Sequence, residues 1–284
     1  MTHDPRATLR QAGLRPKKSF GQNFLVAEGI VLAIAQACVH DDEVGAARVV
    51  EIGAGTGALT RALAKRARQV VAIERDRDLV PLLERELAEA GVRVVEADAQ
   101  TVDLTALLGE PEPGSPRVLC GNLPYAITGP LLRRAMEHAD RLERVVFMVQ
   151  DEVAERLGAS PGTKEWGALT VFTRAVFHVR RVLRVPPGAF HPPPEVHSAV
   201  VELVPLRPAR ALETGRFRAL VRDAFQARRK TLRNAWSRQA PEPDVLAAAA
   251  ARAGVSLDAR GETLDVEAFV QMADALDALS DRRP

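Results

Sequence analysis

A chain of 284 residues with 46% hydrophobic content can bury a large core, enough for one substantial domain and a smaller second one. No run approaches the ~18 uninterrupted apolar residues of a membrane span, the first residues carry scattered arginines and no apolar leader, and Cys38 and Cys120 sit in apolar runs without disulfide or zinc spacing. A membrane protein, a disulfide-stapled secreted domain and a zinc module are excluded, and a cytoplasmic globular protein is expected. The net charge of +2 hides an asymmetry: residues 207 to 238 hold ten lysines and arginines, Arg210 among them, against Glu213 and Asp223, whereas nine acids outnumber four arginines from 239 onward. That distribution suits either one surface facing a polyanion and another facing water, or an Arg-rich solvated helix.

Residues 1 to 25 read as a polar, basic arm, after which Ile30, Leu32, Ile34 and Ala37 suggest a helix. Val49 to Ile52 reads as a buried strand, Gly53-Ala54-Gly55-Thr56-Gly57 as a glycine turn, and Ala58 to Arg68 as the helix that follows. The alternation continues through Val70 to Ile73 (strand), Leu79 to Ala90 (helix), Val92 to Val95 (strand), Val118 to Cys120 (strand), Pro130 to Ala139 (helix) and Val145 to Val149 (strand). Val153 to Leu157 reads as a helix, Leu169 to Phe172 as helix or strand, and Val176 to Val185 and Ala199 to Leu203 as strands that close the sheet. Strands alternating with helices imply an α/β fold, a largely parallel sheet with helices on both faces. Past Pro205 the pattern turns helical, with Phe217, Leu220, Val221, Ala224 and Phe225 at helical spacing. The expected organisation is a domain over 1–206 and a small all-helical domain over 207–284.

A strand leading into a glycine turn and a helix brings backbone N–H groups close to a ligand, as nucleotide-like groups require. The spacing is G-x-G-x-G, without the third glycine that lies beneath a dinucleotide's pyrophosphate, and so favours S-adenosylmethionine over a nicotinamide cofactor. Glu74, 21 residues after Gly53, ends the second strand where a carboxylate would accept both hydroxyls of a ribose or, at an exposed strand end, pair with Arg75 or Arg77; Asp98 ends the third, where it could accept the exocyclic amine of adenine or simply cap a turn. Methyl transfer from a sulfonium is an in-line displacement whose electrophile and leaving group come with the donor, so neither a metal nor a strong base is required. The task is chiefly positioning. None of the six histidines forms a metal-binding spacing.

Asn122-Leu123-Pro124-Tyr125 ends the fourth strand. An exocyclic base amine is a poor nucleophile because its lone pair is delocalised into the ring, so the enzyme must accept hydrogen bonds from its N–H groups and hold the base flat. Asn122 and the Pro124 carbonyl offer acceptors, Leu123 lies between them, and Tyr125 offers an aromatic face. Phe190, in the proline-stiffened stretch from Val185 to Pro194, is a candidate for the other face of an extruded base, or else a core residue. The segment Arg228-Arg229-Lys230 with Arg233, together with Lys17 and Lys18, is expected to contact RNA phosphates.

Lys18 to Leu25, Glu51 to Thr60, Asn122 to Tyr125, Val185 to Ser198 and Arg228 to Asn234 together resemble the small-subunit ribosomal RNA adenine dimethyltransferase family, the KsgA type, over essentially the whole chain from residue 17. The resemblance implies a Rossmann-like S-adenosylmethionine-dependent methyltransferase sheet with a C-terminal helical domain. It implies transfer of methyl groups from S-adenosylmethionine to N6 of two adjacent adenosines in a hairpin loop near the 3′ end of small-subunit rRNA. It further implies a role late in subunit assembly, with rRNA in a pre-30S particle as partner, no membrane, and a monomeric enzyme. By position it assigns donor contacts to Asn23, Leu25, Gly53, Glu74, Asp98 and Asn122, with Asn122 also reaching the target amine and Tyr125 and Phe190 sandwiching the base. Ala126 departs from the usual asparagine, and Asp151 and Ala168 stand where basic residues are common. Two alternatives are a large-subunit rRNA adenine methylase and an assembly factor that hardly turns over.

Overall fold

The computed structural model describes residues 4–209, 214–226, 228–240 and 242–280; Arg210 and Glu213 of the charged run lie outside them. Nine strands are present among these residues: β1 (Phe24–Leu25), β2 (Arg48–Ile52), β3 (Gln69–Glu74), β4 (Arg93–Glu96), β5 (Arg117–Asn122), β6 (Arg144–Gln150), β7 (Phe177–Val185), β8 (Phe190–His191) and β9 (Ser198–Pro205). The helices are α1 (Pro5–Gln11), α2 (Glu28–Cys38), α3 (Ala58–Ala64), α4 (Val80–Leu87), α5 (Leu104–Leu108), α6 (Thr128–Glu137), α7 (Asp151–Gly158), α8 (Ala168–Val176), α9 (Gly215–Gln226), α10 (Leu232–Ala235), α11 (Pro243–Arg252) and α12 (Val266–Ser280).

Seven strands form one sheet in the order β4-β3-β2-β5-β6-β9-β7, and β1 pairs antiparallel with β8 in a separate ribbon. The β4-β3-β2-β5-β6 portion is parallel throughout, and β9 runs antiparallel to β6. Central strands of a parallel sheet are covered on both faces and so read as unbroken apolar runs. Accordingly Val118, Leu119 and Cys120 of β5 and Val145 to Val149 of β6 are at most 1% exposed. One face packs against α2 and α3 through Ile34, Ala35, Cys38, Leu59 and Leu63, and on the other α4 brings Leu83 and Leu87 against Ala54 and Ala72. At the sheet's end, β7 carries the exposed Arg180, Arg181 and Arg184, charges that deter edge-to-edge pairing.

By internal contacts the chain divides into two compact units, Met1–Ala154 with Val179–Pro205, and Glu155–His178 with Leu206–Pro284. A single cut at 206 leaves out the way Glu155–His178 joins the second unit. Apolar packing accounts for it: Phe172 of α8 meets Phe217 of α9 edge to face at 6.0 Å, and Trp166 Nε1 donates to the Leu264 carbonyl at 3.0 Å. Fully buried Trp236 completes that core, stacked edge to face on Phe269 with its Nε1 donating to Leu220 O.

Glu51 is a charged residue set in the interior. It lies in β2, is 2% exposed, and its Oε2 has no hydrogen-bond partner among the described residues. Burial pushes its carboxyl up to about 7, with the Thr60 hydroxyl pulling the other way and Glu74 adding to the rise. A carboxyl that holds its proton more tightly when folded contributes full stability below its unfolded value of 4.5 and loses it as pH rises through about 7. Comparing urea unfolding at pH 5 and pH 8, Glu51→Gln is expected to abolish a wild-type loss of roughly 3 kcal/mol; equal losses in the two proteins would refute this origin.

Candidate active site

In an open parallel sheet, ligands bind beyond the carboxyl ends of the strands where the strand order reverses. Here that point lies between β2 and β5, whose successors β3 and β6 lie on opposite sides. Register aligns Ile52 with Gly121, so the chain leaves β2 at Gly53 directly beside Asn122. A Cβ at Gly121 would collide with the Ile52 carbonyl, so glycine is required for the two strands to lie this close. A cavity of ≈ 320 Å³ opens at this edge, walled by residues 18–24, the start of the glycine turn, the ends of β3 and β4, and residues 122–127.

Gly55 adopts φ 59°, a left-handed conformation that glycine reaches without steric cost, and its N–H donates to Glu74 Oε2 at 2.8 Å. Glu74 Oε1 accepts from the backbone N–H groups of Arg75 (2.9 Å) and Asp76 (2.8 Å). Glu74 thus ties the glycine turn to the end of β3 while lining the cavity. Burial pushes its carboxyl up, against the pull of the three N–H groups. Oε2, with a single partner, keeps capacity to accept from a ligand hydroxyl. Asp98 also lines the cavity; it caps its own turn through Gln100 N at 2.9 Å and pairs with Arg75 at 3.2 Å, so turn capping and cavity lining coexist.

Asn122 Nδ2 donates to the Asn23 carbonyl at 2.9 Å, which orients the amide and leaves Oδ1 as its acceptor atom. The Pro124 carbonyl accepts Ile127 N–H at 3.1 Å and retains a second lone pair. Leu123 is held by its N–H to Met148 O at 3.2 Å. Tyr125, half-buried, lines the cavity, and its hydroxyl lies 2.6 Å from Ser198 Oγ.

Several expected residues are placed elsewhere. Phe190 does not reach the cavity wall: it pairs with Leu25 across the β1–β8 ribbon, is 2% exposed, and packs with Leu25, Val185 and Ala189 in the core. Of the expected pair, Tyr125 lines the cavity and Phe190 does not, and the Leu25 side chain, 6% exposed, is likewise a core residue. Lys17, expected as a phosphate ligand, has its Nζ held by Asp76 at 2.5 Å and Asp78 at 2.7 Å. In the second unit Arg228 is engaged by Glu262 and by the Lys164 carbonyl. Arg233 reaches Asp258 at 3.3 Å, an exposed contact of little energy. Lys18, Arg229 and Lys230 are exposed and form no ion pair among the described residues.

Sequence reasoning missed Asp76, the anchor of the segment that covers the cavity. Its side chain is nearly buried and accepts from Lys17 and, at 2.7 Å, from Gln22. Although burial opposes ionisation, these partners hold its carboxyl below the usual range. Lys17 and Arg75 also lie over the Phe20 ring at 5.5 and 5.8 Å. Gln22 falls inside a motif already noticed, but nothing in sequence pairs it with a residue 54 positions away.

The family model for ribosomal RNA adenine dimethylase matches residues 13–278. Among curated relatives, the ribosomal RNA small subunit methyltransferase A of Myxococcus xanthus is 42% identical over 281 residues, covering 97% of this chain and 96% of its own. That of Geobacter metallireducens is 40% identical over 277 residues, with 95% and 99% covered. Among solved structures, a dimethyladenosine transferase from Plasmodium falciparum superposes with a TM-score of 0.75 at 25% identity, over 88% of this chain and 95% of that one. The 23S rRNA methyltransferase ErmE gives 0.65 at 29% identity, over 90% and 100%.

If Asp76 anchors the covering segment, Asp76→Asn should speed amide hydrogen exchange across residues 17–23 by about tenfold while β2 and β5 keep their protection. Unchanged exchange in that segment would show that the anchor lies elsewhere.

Proposed function

The chain belongs to the ribosomal RNA adenine dimethylase family, and from that premise we propose that it transfers methyl groups from S-adenosylmethionine to N6 of two adjacent adenosines in a hairpin loop near the 3′ end of small-subunit rRNA. The product is N6,N6-dimethyladenosine, and the reading includes a role late in small-subunit biogenesis, on rRNA within a pre-30S particle. The observation that carries it is the juxtaposition of Asn122 and Glu74 on one cavity at the strand-order reversal.

The residues present fit the donor. The cavity volume lies in the range of small-molecule sites, and its polar groups include an oriented amide, a carboxylate with a spare acceptor position and a glycine turn open to close approach. When bound, S-adenosylmethionine supplies a sulfonium-activated methyl group. Glu74 accepts from the ribose hydroxyls, Asp98 from the adenine amine, and the apolar wall of Ile52, Ile73 and Leu79 takes the ring. Asn122 Oδ1 and the Pro124 carbonyl accept from the N–H groups of the target amine, which localises its lone pair toward the methyl carbon. Tyr125 fixes the plane of the base. Such positioning is a large part of what a displacement on a preactivated carbon requires.

A loop adenosine suits this site because an unpaired base is extruded at a cost of only a few kcal/mol. Lys18, Arg229, Lys230 and Arg233 are the phosphate contacts of this reading, with Arg228 joining only by exchanging Glu262 for phosphate. Likeness to a 23S rRNA methyltransferase makes the large subunit the alternative substrate, and Ala126 and Ala168 motivate the weakly catalytic alternative.

With labelled donor, wild type should methylate adenines of 30S particles purified from cells lacking this enzyme and leave 50S particles unlabelled, and Asn122→Ala should lose at least about 100-fold in rate. Label appearing on 50S alone, or multiple turnovers absent under excess donor, would reject the reading. Replacing Arg229 and Lys230 by alanine should weaken RNA binding and flatten the dependence of log affinity on log salt by about 1.4–1.8. An unaltered slope would remove both residues from the RNA contact.

A further inference from the structure

Tyr125 stands on a short 3-10 turn, Tyr125–Ile127, between β5 and α6, where its backbone fixes only one end of the ring. The other end is fixed by a residue 73 positions away: Ser198 Oγ lies 2.6 Å from the phenol oxygen. Ser198 itself is 0% exposed and is the first residue of β9, paired in register with Gln150 at the end of β6. The next residue holds this corner together. Asp151 donates its N–H to the His197 carbonyl at 3.0 Å, and its carboxylate accepts from Arg181 and, at 2.9 Å, from Arg184 of β7. The serine hydroxyl is therefore a rigid anchor mounted on three strands, and Asp151 gathers that mount.

We infer that Ser198 is a positioning residue for methyl transfer: by bonding the Tyr125 hydroxyl it fixes the plane of the aromatic face against which the target base is held. The inference rests on the proposed acceptor role of Asn122 and Tyr125. A tyrosine without this bond keeps its stacking surface but swings about its side-chain torsions, so fewer encounters present the amine in line with the methyl carbon. The loss belongs to kcat, because Ser198 is absent from the wall of the donor cavity.

Tyr125 is the chain's one tyrosine, so tyrosine labelled with 13C at Cζ gives a single resonance that reports the bond without RNA. Ser198→Ala should shift that resonance and lower kcat on 30S particles about tenfold, with KM for the donor unchanged. Tyr125→Phe removes the same bond from the other side and should match it, and the double variant should be no slower than either single one. Should Ser198→Ala fail to fold, Tyr125→Phe decides alone. Wild-type kcat in Tyr125→Phe, or additive losses in the double variant, would overturn the positioning role. Full activity in Tyr125→Ala would instead sink the acceptor reading itself, whereas an inactive Tyr125→Ala beside fully active Ser198→Ala and Tyr125→Phe would sink only the role of Ser198.

Discussion

The closeness of β2 and β5 at their carboxyl ends governs this molecule. Only a residue without a side chain can stand opposite Ile52, and Gly121 meets that demand. The two chains then part in opposite directions, one into the glycine turn and one into Asn122. Everything ascribed to the site follows from that divergence: a crevice open at the sheet's edge, backbone N–H groups on one bank and an amide on the other. Shifting the register by one residue would turn every side chain of β5 to the opposite face of the sheet, Asn122 included.

Onto this rigid edge residues 17–23 are attached by polar contacts, next to the buried Phe24 and Leu25. Asp76 accepts from Lys17 and Gln22, and Asn122 donates to the Asn23 carbonyl. The wall over the donor side and the amide on the acceptor side therefore share one short stretch of chain. Asn122 acquires its orientation from the same segment that encloses the cavity, so enclosure and amide alignment are coupled.

The layered architecture was legible because parallel strands advertise themselves as apolar runs, and Gly53, Glu74, Asp98 and Asn122 were legible because strand-end residues converge in a sheet of this topology. Tyr125 was legible from its neighbours in a four-residue motif. What escaped depends on long-range pairing that periodicity does not encode. Phe190 was ambiguous between stacking and core because a proline-rich loop has no period; the ribbon with Leu25 decided for the core. Lys17 looked like an RNA contact because charge alone does not reveal a buried carboxylate 59 residues away. Leu169 to Phe172 was open to either helix or strand, being a short apolar run, and its packing in the helical unit resolves it as α8.

The reversed direction of β9 has a consequence for the order in which the molecule is completed. A strand running against its neighbours presents its beginning, not its end, at their carboxyl edge, which is how Ser198 arrives beside a loop that left the sheet far earlier in the chain. During synthesis, every residue that walls the cavity emerges before β9 begins. The brace behind the aromatic wall emerges some fifty residues after β6 begins. A nascent chain thus passes through a stage at which every wall of the crevice has been made while the residue that braces its one tyrosine has not.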